Sequence, residues 1–308
     1  MEILKPIIRF SEFQKSWEKS IIKDIVNRYT EAVKVDLHTQ YRQIGIRSHG
    51  KGLFYKNLVS GETLGNKRVF WIIENALIIN IVFAWEQAVT KTTEKEKGMI
   101  ASHRFPMYLP LDNKSNVDFL NYFFLTKKGK FLLESASPGG AGRNKTLGQK
   151  EFDNSKIIVP SIQEQTRIAN FLSAVDEKLN LLKEKKDLLE EYKKGIMQKI
   201  FNQELRFKDD NGNDYEEWDN KTLGEVAKFR RGSFPQPYGL PKWYDDENGM
   251  PFIQVYDVGS NMLLKDKTKN RISKIGAEQS VFVEKGTIVI TIQGSIGRIA
   301  KTQYDAYV

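Results

Sequence analysis

The sequence of 308 residues contains no cysteine, and its only histidines are His38, His49 and His103. The absence of cysteine excludes disulfide bonds, thiolate nucleophiles and cysteine-based zinc sites. Three scattered histidines also argue against a structural zinc site. A chain without disulfides is compatible with a reducing compartment, and we expect a cytoplasmic location.

Long hydrophobic runs are absent as well. Residues 1–17 hold no uninterrupted apolar run that could act as a signal peptide. The most apolar stretch, residues 69–85, is interrupted by Glu74, Asn75 and Asn80 and is too short to span a membrane. Its two halves, residues 69–73 and 77–83, are rich in β-branched and aromatic residues and predict two buried strands. We therefore expect a soluble protein with no membrane partner.

The chemistry of an enzyme is missing too. No two prolines are adjacent, which excludes the Asn-Pro-Pro-Tyr type of tetrapeptide of DNA methyltransferases. Residues 137–146 nearly match a phosphate-binding loop, but Asn144 stands where that loop requires glycine. The acidic pair at Asp176 and Glu177 lies in a helical pattern rather than in a nuclease cluster. The sequence predicts a protein without catalytic residues, metal or cofactor of its own.

Positive charge is in excess. The chain has 48 lysines and arginines against 39 aspartates and glutamates, a formal net charge of +9. Such an excess indicates a polyanionic partner, most commonly nucleic acid. A basic surface that serves only solubility remains the alternative.

Three segments differ in their pattern. Residues 1–160 mix short strand-like runs with turns, and Asp118–Leu133 has the apolar spacing of a helix. Residues 161–204 carry a long helical pattern. Residues 205–308 are strand-rich again, with strands expected at 250–258, 280–283 and 287–292. The expected fold class is therefore α+β, with two β-rich domains joined by a long coiled-coil helix.

The long helix has clear start signals and a heptad pattern. Pro160 ends a strand-like run, Ser161 can cap the helix, and Glu164 completes a capping box. Apolar residues then alternate in steps of four and three over about five heptads, which is typical of a coiled-coil seam. Lys186 and Lys193 take two seam positions and must face solvent or acidic partners. The apolar seam residues are Ile168, Leu172, Val175, Leu179, Leu182, Leu189, Ile196 and Ile200.

The beginning of the chain recurs after the helix. Arg9-Phe10 matches Arg206-Phe207, Trp17 matches Trp218, and Val26 matches Val226. We expect both tryptophans to lie in domain cores. One repeat is thus a β-rich domain followed by a long helix, and the second copy would be incomplete because it lacks the second helix.

Three motifs carry a resemblance to a known family. Residues 157–172 read IIVPSIQEQTRIANFL, residues 205–218 read LRFKDDNGNDYEEW, and residues 286–298 read GTIVITIQGSIGR. Over nearly its whole length the chain resembles the specificity subunit of Type I restriction-modification enzymes. The resemblance implies a first target-recognition domain at residues 1–160, a conserved spacer helix at 161–204 and an incomplete second recognition domain at 205–308.

The resemblance also implies partners. Each recognition domain would read one half of a split site in double-stranded DNA, and two spacer helices would pair as an antiparallel coiled coil. Methyltransferase (modification) subunits and restriction subunits would dock on this scaffold. They would use S-adenosylmethionine, ATP and Mg²⁺, none of which this chain would hold. Since the second helix is missing, the seam would pair with another copy or with a companion chain. The alternative is a coiled-coil assembly or regulatory fragment without sequence-specific DNA recognition.

Candidate DNA-contacting residues are those that can donate to bases or phosphates. Arginine forks onto guanine and glutamine onto adenine, while cations and backbone amides near glycine position phosphates. Each of these residues could instead be an ordinary solvated side chain. In the first domain the candidates are Arg42, Gln43, Arg47, Ser48, His49 and Lys51, then His103 and Arg104, then Arg143 and Lys145 in the glycine-rich loop. In the second they are Arg230, Arg231, Gln236, Gln293, Ser295 and Arg298.

Overall fold

The structure, a computed structural model, describes residues 6–139 and 145–308. It divides into two compact units, Met1–Leu205 and Arg206–Val308. The candidate Arg143 lies outside the described residues. Among the described helices, none combines the length and the apolarity that crossing a bilayer requires.

The described residues of the first unit form ten short strands in three sheets. The strands are β1 (Glu18–Ile21), β2 (Val26–Tyr29), β3 (Gln40–Ile46), β4 (Leu53–Ser60), β5 (Val69–Trp71), β6 (Leu77–Ile79), β7 (Val89–Lys91), β8 (Ile100–Ser102), β9 (Met107–Pro110) and β10 (Lys156–Val159). The sheets have the strand orders β2-β9-β6-β7, β4-β3-β8-β5 and β1-β10. The helices are α1 (Gly61–Leu64), α2 (Val117–Leu125), α3 (Lys127–Ser135), α4 (Gln149–Asp153) and α5 (Ile162–Phe201).

Strand β6 is buried on both faces. Leu77 and Ile79 enter the core formed with α2, α3 and α4, whereas Ile78 enters the core shared with Ile44 and Met107. Successive strand residues point to opposite faces, so an apolar residue is needed at every position. The two buried strands expected in residues 69–85 are confirmed as β5 and β6, although both are shorter than the apolar runs.

The single helix expected at Asp118–Leu133 is wrong, because the chain breaks at Thr126 into α2 and α3. Thr126 is extended (φ −77°, ψ 167°), and its hydroxyl accepts from the Gly129 amide at 3.1 Å. A Cβ at Gly129 would lie 2.2 Å from the carbonyl oxygen of Phe123. This glycine lets the two helices approach each other closely at the break.

Helix α5 spans 40 residues, about 60 Å at about 1.5 Å per residue. Ser161 caps it as expected, since its hydroxyl accepts from the Glu164 amide at 3.4 Å. The other half of the predicted capping box is wrong. The Glu164 carboxylate does not return to the cap but accepts from Arg9 Nε at 2.7 Å and Trp17 Nε1 at 3.2 Å, because a charged partner gives the stronger hydrogen bond.

The seam of α5 is covered at its beginning and partly at its end, where Ile196 and Ile200 are half-buried. Ile168 packs against the first core and Ala169 is buried. Lys186 reaches Glu190 at 3.5 Å on the solvent side, as its seam position requires. In the described first unit the middle of the seam is open, with Val175, Leu179, Leu182 and Leu189 exposed by 41, 48, 53 and 55%.

The second unit has a smaller core, formed by residues such as Ile253, Leu264 and Ala300. Its sheet has the order β12-β11-β16-β13, and β14 pairs with β15 as a hairpin. The elements are α6 (Leu223–Val226), β11 (Met250–Phe252), β12 (Asn270–Ile272), α7 (Lys274–Ala277), β13 (Phe282–Val283), β14 (Ile288–Ile290), β15 (Ile299–Lys301) and β16 (Ala306–Tyr307). The α+β class expected from the sequence is confirmed.

Two expectations for this part of the chain are wrong. The strand expected at 250–258 ends at Phe252, because Gln254 and Asp257 form a capping box around a 3-10 turn. Trp218, expected in a core, is 48% exposed. Its counterpart Trp17 is half-buried against the Phe119 ring, whose centroid lies 6.4 Å away.

Candidate nucleic-acid interface

Strands β3 and β4 are joined by a loop of residues 47–52 that carries four of the candidate residues. The Arg47 amide donates to the Gly52 carbonyl at 2.9 Å and closes the loop. The Arg47 guanidinium donates to the Leu53 carbonyl at 2.7 Å and lies 5.2 Å from the centre of the Phe54 ring. His49 (φ 60°) and Gly50 (φ 65°) make the left-handed turn. Arg47 is therefore exposed yet held in one orientation.

This loop rests on a 3-10 turn at Ala84–Glu86. The Ser48 hydroxyl donates to the Glu86 carboxylate at 2.8 Å, and the His49 amide donates to the Glu86 carbonyl at 2.7 Å. The Gly50 amide donates to the carbonyl of Gln87 at 3.1 Å. Three successive loop residues are thus anchored to a segment far away in the sequence.

Two other candidate clusters attach to the same segment. The Ile81 amide donates to the Arg104 carbonyl at 3.0 Å, and the Leu147 amide donates to the Ile81 carbonyl at 2.8 Å. The Lys145 ammonium lies 5.7 Å from the centre of the Trp85 ring. Residues 47–52, 81–87, 103–104 and 145–147 therefore lie together, and we call them the convergent face.

The convergent face combines cations with exposed rings. Arg47, Lys51 and Arg104 are exposed, as are the imidazoles of His49 and His103. The Phe83 ring is exposed as well. Cations and loop amides of this kind can contact phosphates, and arginine and histidine can reach base edges.

Not every candidate of the first unit joins this face. Arg42 is exposed on β3, five residues before Arg47, roughly 17 Å along the strand at about 3.3 Å per residue. Gln43 is half-buried at a bulge of β3 and pairs with Ile100 of β8. The neighbouring Tyr41 is buried, and its hydroxyl accepts from the Asp36 amide at 2.9 Å. No contact in the described residues links Arg42 or Gln43 to the convergent face.

Sequence reasoning missed the segment that organises the face. It assigned residues 77–83 to one strand, but the Asn80 side chain accepts from the Val82 amide at 3.1 Å and turns the chain after Ile79. Asparagine in such a local turn is a known strand terminator. An asparagine inside an otherwise apolar run was the signal available in the sequence.

In the second unit the loop of residues 291–298 between β14 and β15 brings together Gln293, Ser295 and Arg298. The Thr291 amide donates to the Arg298 carbonyl at 2.9 Å, and the Arg298 amide donates to the Thr291 hydroxyl at 3.0 Å. Gly294 (φ 69°) and Gly297 (φ 81°) adopt left-handed turns within the loop. Gln293 and Arg298 are exposed on this loop, Ser295 is half-buried, and Thr291 is buried.

A second cationic group lies beside this loop. The Arg298 guanidinium donates to the Val258 carbonyl at 3.4 Å. Two residues before Val258, the Tyr256 ring lies 4.9 Å from the Lys269 ammonium and 5.9 Å from that of Lys265. Burial, followed by the negative charge of Asp257, raises the pKa of Tyr256 to about 12. Sequence reasoning did not identify this cluster.

The remaining candidates of the second unit lie apart from that loop. The Gln236 amide donates to the Gln279 side chain at 3.1 Å, which places this residue beside another segment. Arg230 and Arg231 are exposed on an irregular stretch. In the part of the chain that the structure describes, no contact connects these three residues to the 291–298 loop.

The groove lined by β4, β7, α2 and α5 is unsuited to nucleic acid. It encloses about 660 Å³, and its lining includes the carboxylates of Asp118, Asp176, Glu177 and Glu184, which repel phosphate. In the same groove the hydrogen bond from Tyr55 to Glu96, with burial, raises the pKa of Tyr55 to about 12. Among the described residues, no group of three histidines or carboxylates is placed to hold a metal ion.

Comparison with known proteins gives a consistent set of similarities. Residues 14–191 match the family model described as Type I restriction modification DNA specificity domain. Over 262 residues the chain is 24% identical to the Type I restriction enzyme MjaVIII specificity subunit of Methanocaldococcus jannaschii, covering 82% of this chain and 55% of that protein. Over 96 residues it is 30% identical to the putative type I restriction enzyme MjaX specificity subunit of the same organism, covering 31% and 22%.

Solved structures share the fold at low sequence identity. The crystal structure of the HsdS subunit from Thermoanaerobacter tengcongensis aligns with a TM-score of 0.51 and 18% identity, covering 94% of this chain and 72% of the other. A structure described in terms of complex assembly and conformational transition of the type I R-M system aligns with a TM-score of 0.54 at the same identity and coverage. The chain spans about half the length of the first curated relative, 55%.

Proposed function

We propose that this chain, which belongs to the Type I restriction modification DNA specificity family, reads double-stranded DNA through the convergent face and through the 291–298 loop. Specificity subunits are not catalysts, and the work of such a protein is recognition. The proposal assigns that recognition to named surfaces of each unit.

One observation carries the proposal. Parts of three clusters that sequence reasoning selected separately attach to one segment, namely residues 47–51 of the cluster at 42–51, residues 103–104, and Lys145 of the pair with Arg143. They attach through main-chain hydrogen bonds and the contact of Lys145 with Trp85. Cations from distant parts of the chain therefore reach the same face. Surface charges kept only for solubility have no need of such a common anchor.

The division of the chain into two compact units supports reading of a split site. Each unit has its own core and its own protruding loop with arginine. Helix α5 is about 60 Å long at about 1.5 Å per residue, so it can set the gap between the two half-sites. The open seam of α5 gives a surface on which a second helix can pair.

Assembly with other subunits follows from the same proposal. The methyltransferase and restriction subunits of such a complex supply S-adenosylmethionine, ATP and Mg²⁺ chemistry, and this chain supplies the DNA sequence preference. The residues that we expect to contact DNA are, on the convergent face, Arg47, Ser48, His49, Lys51, His103, Arg104 and Lys145, and in the second unit Gln293, Ser295 and Arg298.

Salt-dependent duplex binding tests the DNA part of the proposal. We expect the purified chain to bind a pool of random-sequence duplexes with an affinity that falls steeply with salt, because phosphate contacts release counterions. The double variant Lys51→Ala, Arg104→Ala should bind at least about tenfold more weakly at low salt and lower the slope of log affinity against log salt by about 2.

Its matched control is Lys178→Ala, Lys185→Ala, which removes two exposed charges from α5 and should leave both affinity and slope nearly unchanged. Equal weakening by both double variants would mean that only net charge matters. If the unmodified chain showed no salt-sensitive DNA binding, the DNA part of the proposal would be wrong and only a role in assembly would remain.

A further inference from the structure

An aromatic ring lies on a glycine where β3 and β4 enter the loop of residues 47–52. Gly45 of β3 pairs directly with Phe54 of β4, so both positions face the same side of the sheet. A Cβ at Gly45 would lie 2.2 Å from Cζ and 2.4 Å from Cε1 of Phe54. The ring therefore covers the Cα of the glycine, and a larger residue at this position would displace it.

Arg47 extends from the same side of the sheet, because it follows Gly45 by two residues. Its guanidinium carbon lies 5.2 Å from the centre of the Phe54 ring, within the range of a cation–π contact. Its Nη1 donates to the Leu53 carbonyl at 2.7 Å. The ring and the carbonyl hold the guanidinium at two points, which restricts its rotamers before any ligand binds.

The Phe54 ring serves no core of the first unit. The other side of the two strands packs into the interior, where Ile44 and Ile46 are buried and Tyr55 packs against them. Phe54 is half-buried and belongs to none of the described core clusters of this unit. Its contacts with Gly45 and Arg47 lie on the outer side, where Arg47 is exposed.

One edge of the Arg47 guanidinium is unused. Within the described residues its side chain makes the bond to the Leu53 carbonyl, and no carboxylate pairs with it. Nε and Nη2 therefore remain as two parallel donors. Such a pair matches the O6 and N7 acceptors that guanine presents in the major groove, whereas a lysine ammonium cannot make the same fork.

We propose that Phe54, seated on Gly45, is a positioning residue that holds Arg47 so that its Nε–Nη2 edge reads a guanine. This guanine belongs to the half-site contacted by the convergent face. The inference rests on the proposed function and deepens it, because it names the base and two residues that act through Arg47. A fixed guanidinium selects guanine more strongly than a mobile one, since less rotamer entropy is lost on binding.

Selection from a pool of random-sequence duplexes by the intact purified chain, followed by sequencing, tests this role. We expect the preference for one guanine to fall at least about fivefold in Arg47→Lys, which keeps the charge but not the fork. Phe54→Ala should lower the preference at that same guanine, and Phe54→Tyr, which keeps the ring, should retain it. The matched control Lys95→Ala removes a cation 5.0 Å from the Tyr55 ring, on the opposite side of β4, and should leave every preference unchanged.

The double variant Arg47→Lys, Phe54→Ala separates positioning from a general effect on the fold. If the ring acts through Arg47, the double variant should lose no more guanine preference than Arg47→Lys alone. Further loss in the double variant, or weaker preference at several positions in Phe54→Ala, would overturn the positioning role. An unchanged guanine preference in Arg47→Lys would overturn the assignment of the base. These outcomes leave the proposed function intact, whereas the absence of any enriched sequence with the unmodified chain would overturn both.

Discussion

Two adjacent side chains at the start of α5 connect the helix to the rest of the first unit. Glu164 receives the Arg9 guanidinium and the Trp17 indole. Gln165 is fully buried; its amide nitrogen donates to the carbonyls of Lys114 and Pro160, and its oxygen accepts from the Asn116 amide. The glutamate thus fixes the beginning of the chain, and the glutamine fixes the loop before α2.

Loss of the Gln165 amide should therefore destabilise the first unit. In Gln165→Leu the Asn116 amide and two carbonyls lose their partner, and each buried polar group left unsatisfied costs about 1–3 kcal/mol. We expect the free energy of unfolding to fall by at least about 2 kcal/mol in urea denaturation. Gln163→Leu makes the same replacement two residues earlier at an exposed position and should have little effect. Equal stability of both variants would contradict the anchoring role.

At the residue scale the sequence predicted some roles and not others. The cap at Ser161 and the solvent-facing Lys186 followed from position alone. The buried partners of Glu164 did not, because they lie about 150 residues away in the chain. A periodic pattern shows which residues are neighbours along the helix. It does not show which distant residues the fold brings into contact with them.

At the scale of elements, α5 carries two apolar stripes rather than one. The seam of Val175, Leu179, Leu182 and Leu189 is open, and Leu181 and Leu188 on another side are equally exposed. The two stripes lie about 125° apart around the axis at about 100° per residue. A helix with two apolar sides can contact two different partners, and only the seam alternates apolar steps of three and four over several heptads, as helix pairing requires.

The seam stripe should mediate pairing between helices. We expect the purified chain to dimerise, and the double variant Leu179→Ser, Leu182→Ser to raise the dissociation constant at least tenfold in sedimentation experiments. Each buried leucine contributes about 1.5–3 kcal/mol, and tenfold corresponds to about 1.4 kcal/mol. Leu181→Ser, Leu188→Ser removes the same side chains from the other stripe and should leave the dimer intact. A monomeric parent chain would contradict pairing between copies.

Element boundaries show where sequence patterns reach their limit. Helix α5 was predictable because forty residues of one periodicity outweigh any local exception. The break between α2 and α3 was not, since Thr126 and Gly129 are ordinary residues of a helical pattern until the turn packs. The shortened β6 and β11 are followed by turns in which the side chain of Asn80 or Asp257 accepts from a main-chain amide, a competition that apolar periodicity does not register.

At the scale of the whole molecule, the two units repeat a starting motif but differ in how it is covered. The first unit closes over its own start through the pairing of β1 with β10, while Leu223 and Val226 of the second unit are 71% and 60% exposed. The candidate DNA-contacting loops lie on separate cores. Each unit can therefore change its contacts without disturbing the other.

Separate contacts predict separate effects on a split recognition site. In cells that express this chain with the methyltransferase subunits proposed as its partners, genome-wide methylation mapping should reveal a motif of two half-sites with a constant gap. Arg104→Ala and Lys51→Ala, on the convergent face, should relax or abolish only one half of the motif. Gln293→Ala and Arg298→Ala, in the 291–298 loop, should alter only the other half, because each unit contacts its own bases. Neither pair should alter the gap, which depends on α5.

If both pairs changed the same half, or if the gap changed with either, the assignment of one half-site to each unit would be wrong. If no motif appeared with the unmodified chain, recognition by this chain with those subunits alone would be excluded.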